Sequence, residues 1–366
     1  MTGRLRIGID CRYLRIERHD GISRFTASIV EHLPRRHDYV LLVSDDRQRV
    51  WLPDDLPVER ISAPTSALEP FVARQVNRLD LDAVFSPMQT MGARGRHYAL
   101  VLTLHDLIYY RNRTPPRDLA WPIRLGWRAF HLAWFPQRAL LNGADGVVTV
   151  SETTRALIAE HHLTRRPVTV AYNASTPVEP RDPDGGRDRT LVYMGSFMPY
   201  KNVETLVRAI PLLRDGTGAD WTLHCMSRVS EADRARLTAL APVGAVVFHD
   251  GASDEEYQAV LRRATALVTA SHDEGFGIPL VEAMGVGTPV AVSDIPIFRE
   301  IGGDVAEYFD PSSPAAVAAA VHRLEARWPS ASRASVPEAR RFDWADSAER
   351  VLEAVEAAVA ARRRQR

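Results

Sequence analysis

The sequence is almost without lysine. Of the 46 lysines and arginines in its 366 residues, a single one is a lysine, Lys201. Arginine can be coded GC-rich and lysine cannot, so nucleotide composition accounts for the bias and makes the exception informative. An ammonium is a compact point charge on a flexible stem, and it enters tight oxygen-lined pockets that a planar guanidinium does not fit. Lys201 is therefore read as a ligand-contacting residue; the other reading is a chance survivor on a solvated helix end. Cysteine is scarce too. Cys11 and Cys225 lie far apart and neither has a CxxC partner, which argues against a disulfide framework or a zinc site and suits a reducing compartment. No run approaches the ~18–20 apolar residues of a membrane span, and no signal-peptide core follows Met1. The expected location is the cytosol, with a membrane surface left open. Net charge is zero, so nothing suggests the broad basic field of a nucleic-acid binder. Neither a Walker A loop nor a GxGxxG motif is present, which speaks against P-loop and dinucleotide chemistry.

What is present is an alternation of short, apolar, β-branched runs with helical patterns. Residues 5–10, 39–44, 83–85, 99–104, 146–150 and 168–171 read as buried parallel strands. A break rich in Pro177, Pro180, Pro183, Gly185 and Gly186 follows. The alternation then restarts, with strands at 190–194, 221–226, 245–248, 266–269 and 289–292. Helices are expected at 202–213, 231–241, 254–263 and 279–286. This predicts an α/β protein of two Rossmann-like domains facing across a cleft. The boundaries are 1–175, a linker at 176–189, 190–340, and a last helix in 341–366 that returns to the first domain.

Two loops of the second half suit a diphosphate. The first, 194–202, leaves a strand and opens a helix. Gly195 permits close backbone approach, Asn202 reads as an N-cap, and Lys201 stands at the positive helix end. The second, 271–284, also follows a strand. Gly275 and Gly277 free the backbone to turn its amides toward a ligand, and Pro279 suits a first helical turn. Glu274 and Glu282 bracket this amide-rich turn, as a ligand with both hydroxyls and phosphates would require.

Glu274 and Glu282 also form the E-x7-E spacing of the retaining glycosyltransferases of family 4, which have the GT-B fold. The whole segment from Glu274 to Pro311, EGFGIPLVEAMGVGTPVAVSDIPIFREIGGDVAEYFDP, resembles that family's donor-site segment. The Gly195 to Asn202 loop resembles its diphosphate loop. Residues 20–25 resemble the opening of its first helix, Leu104-His105-Asp106 its His-Asp turn, and Thr149-Val150-Ser151-Glu152 its Val-Ser-Glu segment. The resemblance spans both halves in order and is closest to mannosyltransferase members.

The resemblance implies a nucleotide-diphosphate sugar as donor, held mainly by the second domain, and a glycan or lipid-linked sugar as acceptor. Glu282 matches the ligand of the ribose hydroxyls. Glu274 matches the glutamate at the transferred sugar, with Gly275, Phe276, Gly277 and Ile278 as donor contacts. Lys201 matches the diphosphate lysine, beside Gly195 and Ser196. In the first domain Gly21 matches a glycine that approaches the phosphates, and His105 a histidine at the donor sugar. Many members carry an arginine where this chain has Ser196 or Tyr200. Arg228 is the candidate replacement for that second cation.

No cofactor and no metal are implied. Asp182-Pro183-Asp184 has the letters of a DxD metal motif but lies in the linker and reads as a turn. GDP-mannose is the first expectation for the donor, with UDP-glucose or N-acetylhexosamine donors next. A GT-B-fold sugar-nucleotide epimerase and a non-catalytic sugar-nucleotide-binding subunit are the other classes. Residues 121–135 place three tryptophans among arginines. They read as a core helix, the preferred reading, or as a peripheral membrane helix; the arginine tail 362–366 reads as solvated or lipid-facing.

Overall fold

The computed structural model describes residues 3–17, 20–115, 121–213 and 220–365. The chain divides into two units, Met1–Asn173 with Asp343–Arg366, and Ala174–Phe342. Each is built on one wholly parallel sheet, as the apolar runs require: parallel strands are covered on both faces and have no polar side.

In the first unit β1 (Arg6–Asp10), β2 (Asp38–Val43), β3 (Val58–Arg60), β4 (Ala83–Ser86), β5 (Ala99–Leu104), β6 (Gly146–Thr149) and β7 (Val168–Val170) lie in the order β3-β2-β1-β4-β5-β6-β7. In the second unit β8 (Thr190–Tyr193), β9 (Thr222–Cys225), β10 (Val246–Phe248), β11 (Ala266–Thr269), β12 (Val290–Ser293) and β13 (Glu307–Phe309) lie in the order β10-β9-β8-β11-β12-β13. The strand order reverses between β1 and β4 in one sheet and between β8 and β11 in the other. Loops leaving the carboxyl ends of strands at such a reversal diverge and leave a crevice, the usual ligand position in open α/β sheets. The loops after β8 and β11 are the two that the sequence singled out.

Strands β3 and β13 were not expected from the sequence. Each has three residues at a sheet edge, and Val58-Glu59-Arg60 offers a single apolar side chain, too little for a pattern. Residues 176–189 are counted with the second unit. Arg181 donates its backbone N–H to Val286 O at 2.8 Å and its guanidinium to Ala264 O at 2.7 Å. Asp182 and Asp184 stand in a turn closed by Asp184 N on Asp182 Oδ1 at 3.0 Å, and Asp184 pairs with Arg333.

The last helix, Trp344–Gln365, packs on β4, β5, β6 and the helix Gly21–Glu31. Arg36 binds both Glu349 (2.6 Å) and Glu356 (3.0 Å) on it. Within the tail, Arg363 pairs with Asp82 at 2.9 Å and Arg362 donates to Arg96 O at 3.0 Å. Both arginines are engaged on the first unit, Arg363 while remaining exposed. The core-helix reading of 121–135 is corrected: the helix Trp121–Phe130 is present, but Trp121, Leu125, Leu132 and Phe135 are exposed.

Candidate functional site

Lys201 closes a short 3-10 turn, Pro199–Lys201, and Asn202 follows in the left-handed region at φ 50°. Asn202 occupies the N-cap position of the helix Val203–Ala209, but its side chain makes no cap bond. It instead donates to Pro311 O at 2.6 Å and Ala270 O at 3.3 Å, tying the β8 loop to the loops after β13 and β11. The expected capping role is thus replaced by a loop-to-loop strut. A second strut runs from His272 N to Tyr200 O at 2.8 Å.

The struts bring the two loops' charged residues together. Lys201 Nζ lies 2.5 Å from Glu274 Oε1, both side chains being mostly buried. Ser271 Oγ donates to the same oxygen at 2.8 Å and is itself 3.0 Å from Thr269 Oγ1. Among the described residues no hydrogen bond falls on Glu274 Oε2. The Tyr200 ring lies beneath the ammonium, 5.2 Å from its centroid, a cation–π contact. Ser271 had no signal beyond opening the quoted loop, and Thr269 none beyond ending the strand before it.

Gly277 caps the helix Ile278–Val286 at φ 105°, a conformation that favours glycine, and an added Cβ would meet the Phe298 ring at 3.1 Å. Pro279 occupies the first turn, as expected. The Phe276 ring is buried and stands edge-on to Phe342 at 5.6 Å, so its side chain anchors the loop while Gly275 and Ile278 remain partly accessible. Glu282, in the second turn of this helix, is 8% exposed. An ordinary solvent-facing helix glutamate is not buried.

On the β8 side, the Tyr193 hydroxyl donates to Ser196 O at 2.6 Å. Burial, then Glu274, pushes the phenol well up and keeps it a donor. The Ser196 side chain is exposed. Gly195 N donates to Ser227 Oγ at 3.1 Å, so the loop after β9 adjoins the loop after β8. Arg228, next in that loop, is exposed and lies over Gly251, where an added Cβ would come 2.7 Å from its Cγ.

Gly21 and His105 belong to the first unit. Gly21 opens the helix Gly21–Glu31, capped by Asp20, which accepts from Ser23 N at 2.8 Å. Phe25 of that helix stands edge-on to the His105 ring at 5.2 Å. His105 Nε2 is 2.8 Å from Pro87 O. A carbonyl only accepts, so Nε2 carries the proton and Nδ1 of the neutral ring is an acceptor. Burial pushes this imidazole below its ordinary value, against the pull of the Pro87 carbonyl and of Asp20.

Comparison with known proteins matches residues 180–341 to the family described as glycosyl transferases group 1, and residues 19–175 to glycosyltransferase family 4. The chain belongs to glycosyltransferase family 4. Among curated relatives, the O-antigen chain mannosyltransferase RfbU of Salmonella typhimurium is 27% identical over 190 residues, 49% of this chain and 50% of that protein. O-antigen chain mannosyltransferase B of Escherichia coli is 26% identical over 266 residues, 67% of this chain and 66% of that protein. The glycosyltransferase thus spans between half and two thirds of these relatives. Among solved structures, Anabaena Alr3699/HepE in complex with UDP and glucose superposes with a TM-score of 0.71 at 16% identity, covering 97% of this chain and 100% of that one. At that identity the likeness is one of fold, and the fold is GT-B: two Rossmann-like units on parallel sheets.

Proposed function

We propose that this glycosyltransferase moves mannose from GDP-mannose to a glycan or lipid-linked acceptor, with retention of anomeric configuration and without a divalent cation. The observation that carries the reading is the Lys201–Glu274 pair at the β8/β11 strand reversal. An ammonium has three donors. Glu274 takes one, and the others suit diphosphate oxygens. Glu274 Oε2 is left to accept from a hydroxyl of the transferred sugar. Glu282 suits the ribose hydroxyls, and the backbone of 275–278 the sugar and phosphates. His105 of the first unit is assigned to the donor sugar, as its neutral ring offers an acceptor at Nδ1. The mannose assignment draws support from the two relatives named mannosyltransferases.

As the glycosidic bond to the diphosphate breaks, negative charge grows on the leaving oxygens. Fixed positive groups aimed at that position lower the barrier. Lys201 and Arg228 are assigned this task, in place of a metal. A double displacement would need a carboxylate nucleophile beneath the anomeric carbon. Glu274 is already bound by Lys201 and Ser271 through one oxygen, which suits positioning better than attack. Retention then follows from a front-face path, the leaving diphosphate accepting the acceptor's proton.

Thermal-shift and hydrolysis measurements against GDP-mannose, UDP-glucose and ADP-glucose test the donor. GDP-mannose should give the largest stabilisation and be slowly hydrolysed. Preference for UDP-glucose would overturn the donor assignment, and indifference to all three would overturn the donor site.

A further inference from the structure

The helix Trp121–Phe130 and the turn that follows it are two-faced. The inner face is anchored on aromatic neighbours in the first unit: Trp127 stands edge-on to Tyr109 at 5.0 Å, and Trp134 stacks on Tyr110 at 3.9 Å and on His161 at 4.2 Å. The outer surface is apolar. Trp121 is 77% exposed, Leu125 64%, Leu132 66% and Phe135 75%. With Ile123, this short stretch holds five of the eleven exposed large hydrophobic side chains among the described residues. Scattered single exposures are ordinary; a concentration of this kind marks an interaction surface.

Charge says what the surface meets. Between Asp118 and Asp145 the sequence has no acidic residue, and it has Arg124, Arg128 and Arg138. Trp121, Arg124, Leu125 and Arg128 line a groove of about 270 Å³. Positions 121, 125 and 128 recur at helical spacing, so tryptophan, leucine and guanidinium stand on one stripe. A second copy meeting this patch across a two-fold axis would set arginines against arginines with no carboxylate in the segment to pair them. A surface of phosphates above hydrocarbon matches both features, since tryptophan and leucine enter the headgroup layer and arginine binds the phosphates.

We propose that residues 121–135 are a docking surface for an anionic phospholipid bilayer. The helix lies in the interface plane rather than crossing it, and no described helix is long and apolar enough to span a membrane. Each surface arginine strengthens binding by roughly fivefold, and added salt weakens it. The surface is argued without reference to the donor chemistry, so failure here would leave the donor assignment intact.

Flotation of the full chain tests it, with vesicles of phosphatidylcholine alone and of phosphatidylcholine with phosphatidylglycerol. Two variants accompany the wild type: W121S/L125S/F135S and R124Q/R128Q. The wild type should float with the anionic vesicles only, less so at high salt, and both variants should stay in the dense fraction with an unchanged melting temperature. Absence of flotation, or flotation that both variants retain, would overturn the proposal. So would a concentration-dependent dimer in vesicle-free buffer that W121S/L125S/F135S abolishes, since it would assign the patch to a second copy.

Discussion

Lys201 Nζ and Glu274 Oε1 lie 2.5 Å apart, one on each of two loops leaving neighbouring strands. Each residue holds the other at the place where it is needed. On the proposed reading Lys201→Ala removes a cation from the donor diphosphate as well as an anchor from Glu274, and turnover should fall by roughly 10²-fold or more. Lys201→Arg should fail as well, because the wider guanidinium does not fit the mostly buried position that the ammonium holds 2.5 Å from Glu274. Residues in direct contact are not additive, so Lys201→Ala with Glu274→Ala should cost less than the product of the single losses. Turnover measured on the four variants, Glu274→Ala among them, checks this; near-wild-type Lys201→Arg would sink it.

Arg228 is exposed beside the Gly195 loop and makes its close approach to Gly251. Arg228→Ala should weaken donor binding and slow turnover, by roughly tenfold if it acts as a second phosphate cation. Gly251→Ala should act in the same direction, since its Cβ would displace the arginine and its φ of 99° suits glycine. Titration of GDP-mannose binding and initial rates decide the matter. Unchanged values for Arg228→Ala would leave Lys201 as the principal cation.

If Lys201 and Arg228 meet the leaving diphosphate as proposed, transfer should survive exhaustive chelation. Rates with EDTA and with added magnesium should agree within about twofold, a difference worth ~0.4 kcal/mol of barrier. An absolute requirement for a divalent ion would remove the two side chains from that role.

His105 gives a pH dependence of defined sign. Its imidazole is lowered by burial from the ordinary 6.5, so the unfolded chain takes up this proton at higher pH than the folded one. Stability from this group is present above pH 6.5 and declines as the pH falls below it. His131 and His224 are lowered by burial too and act in the same direction. Melting temperatures should fall between pH 7.5 and 5, and His105→Gln should flatten that slope. A slope unchanged by the substitution would show that His105 takes no part.

The site was readable where chemistry and backbone demand coincide. Lys201, Glu274, Gly277 and Pro279 each carry a residue type with few substitutes, on loops bounded by clear apolar strands. Asn202 misled because asparagine serves equally as an N-cap and as a left-handed residue, and only the positions of Ala270 and Pro311 decide between them. Strands β3 and β13 were too short to show a period. Trp121 to Phe135 misled for a different reason: an apolar, aromatic helix has the same pattern whether its second face meets protein or something outside the chain.

The helix Trp344–Gln365 covers β4, β5 and β6, so the first unit is a discontinuous module, completed by residues that follow the whole of the second. Residues 174–342 can be expressed as one uninterrupted segment. Its counterpart needs the helix Trp344–Gln365 grafted back, or the sheet loses its cover. A protease nick at either junction alone, near 173 or near 342, would leave the two units on one covalent thread.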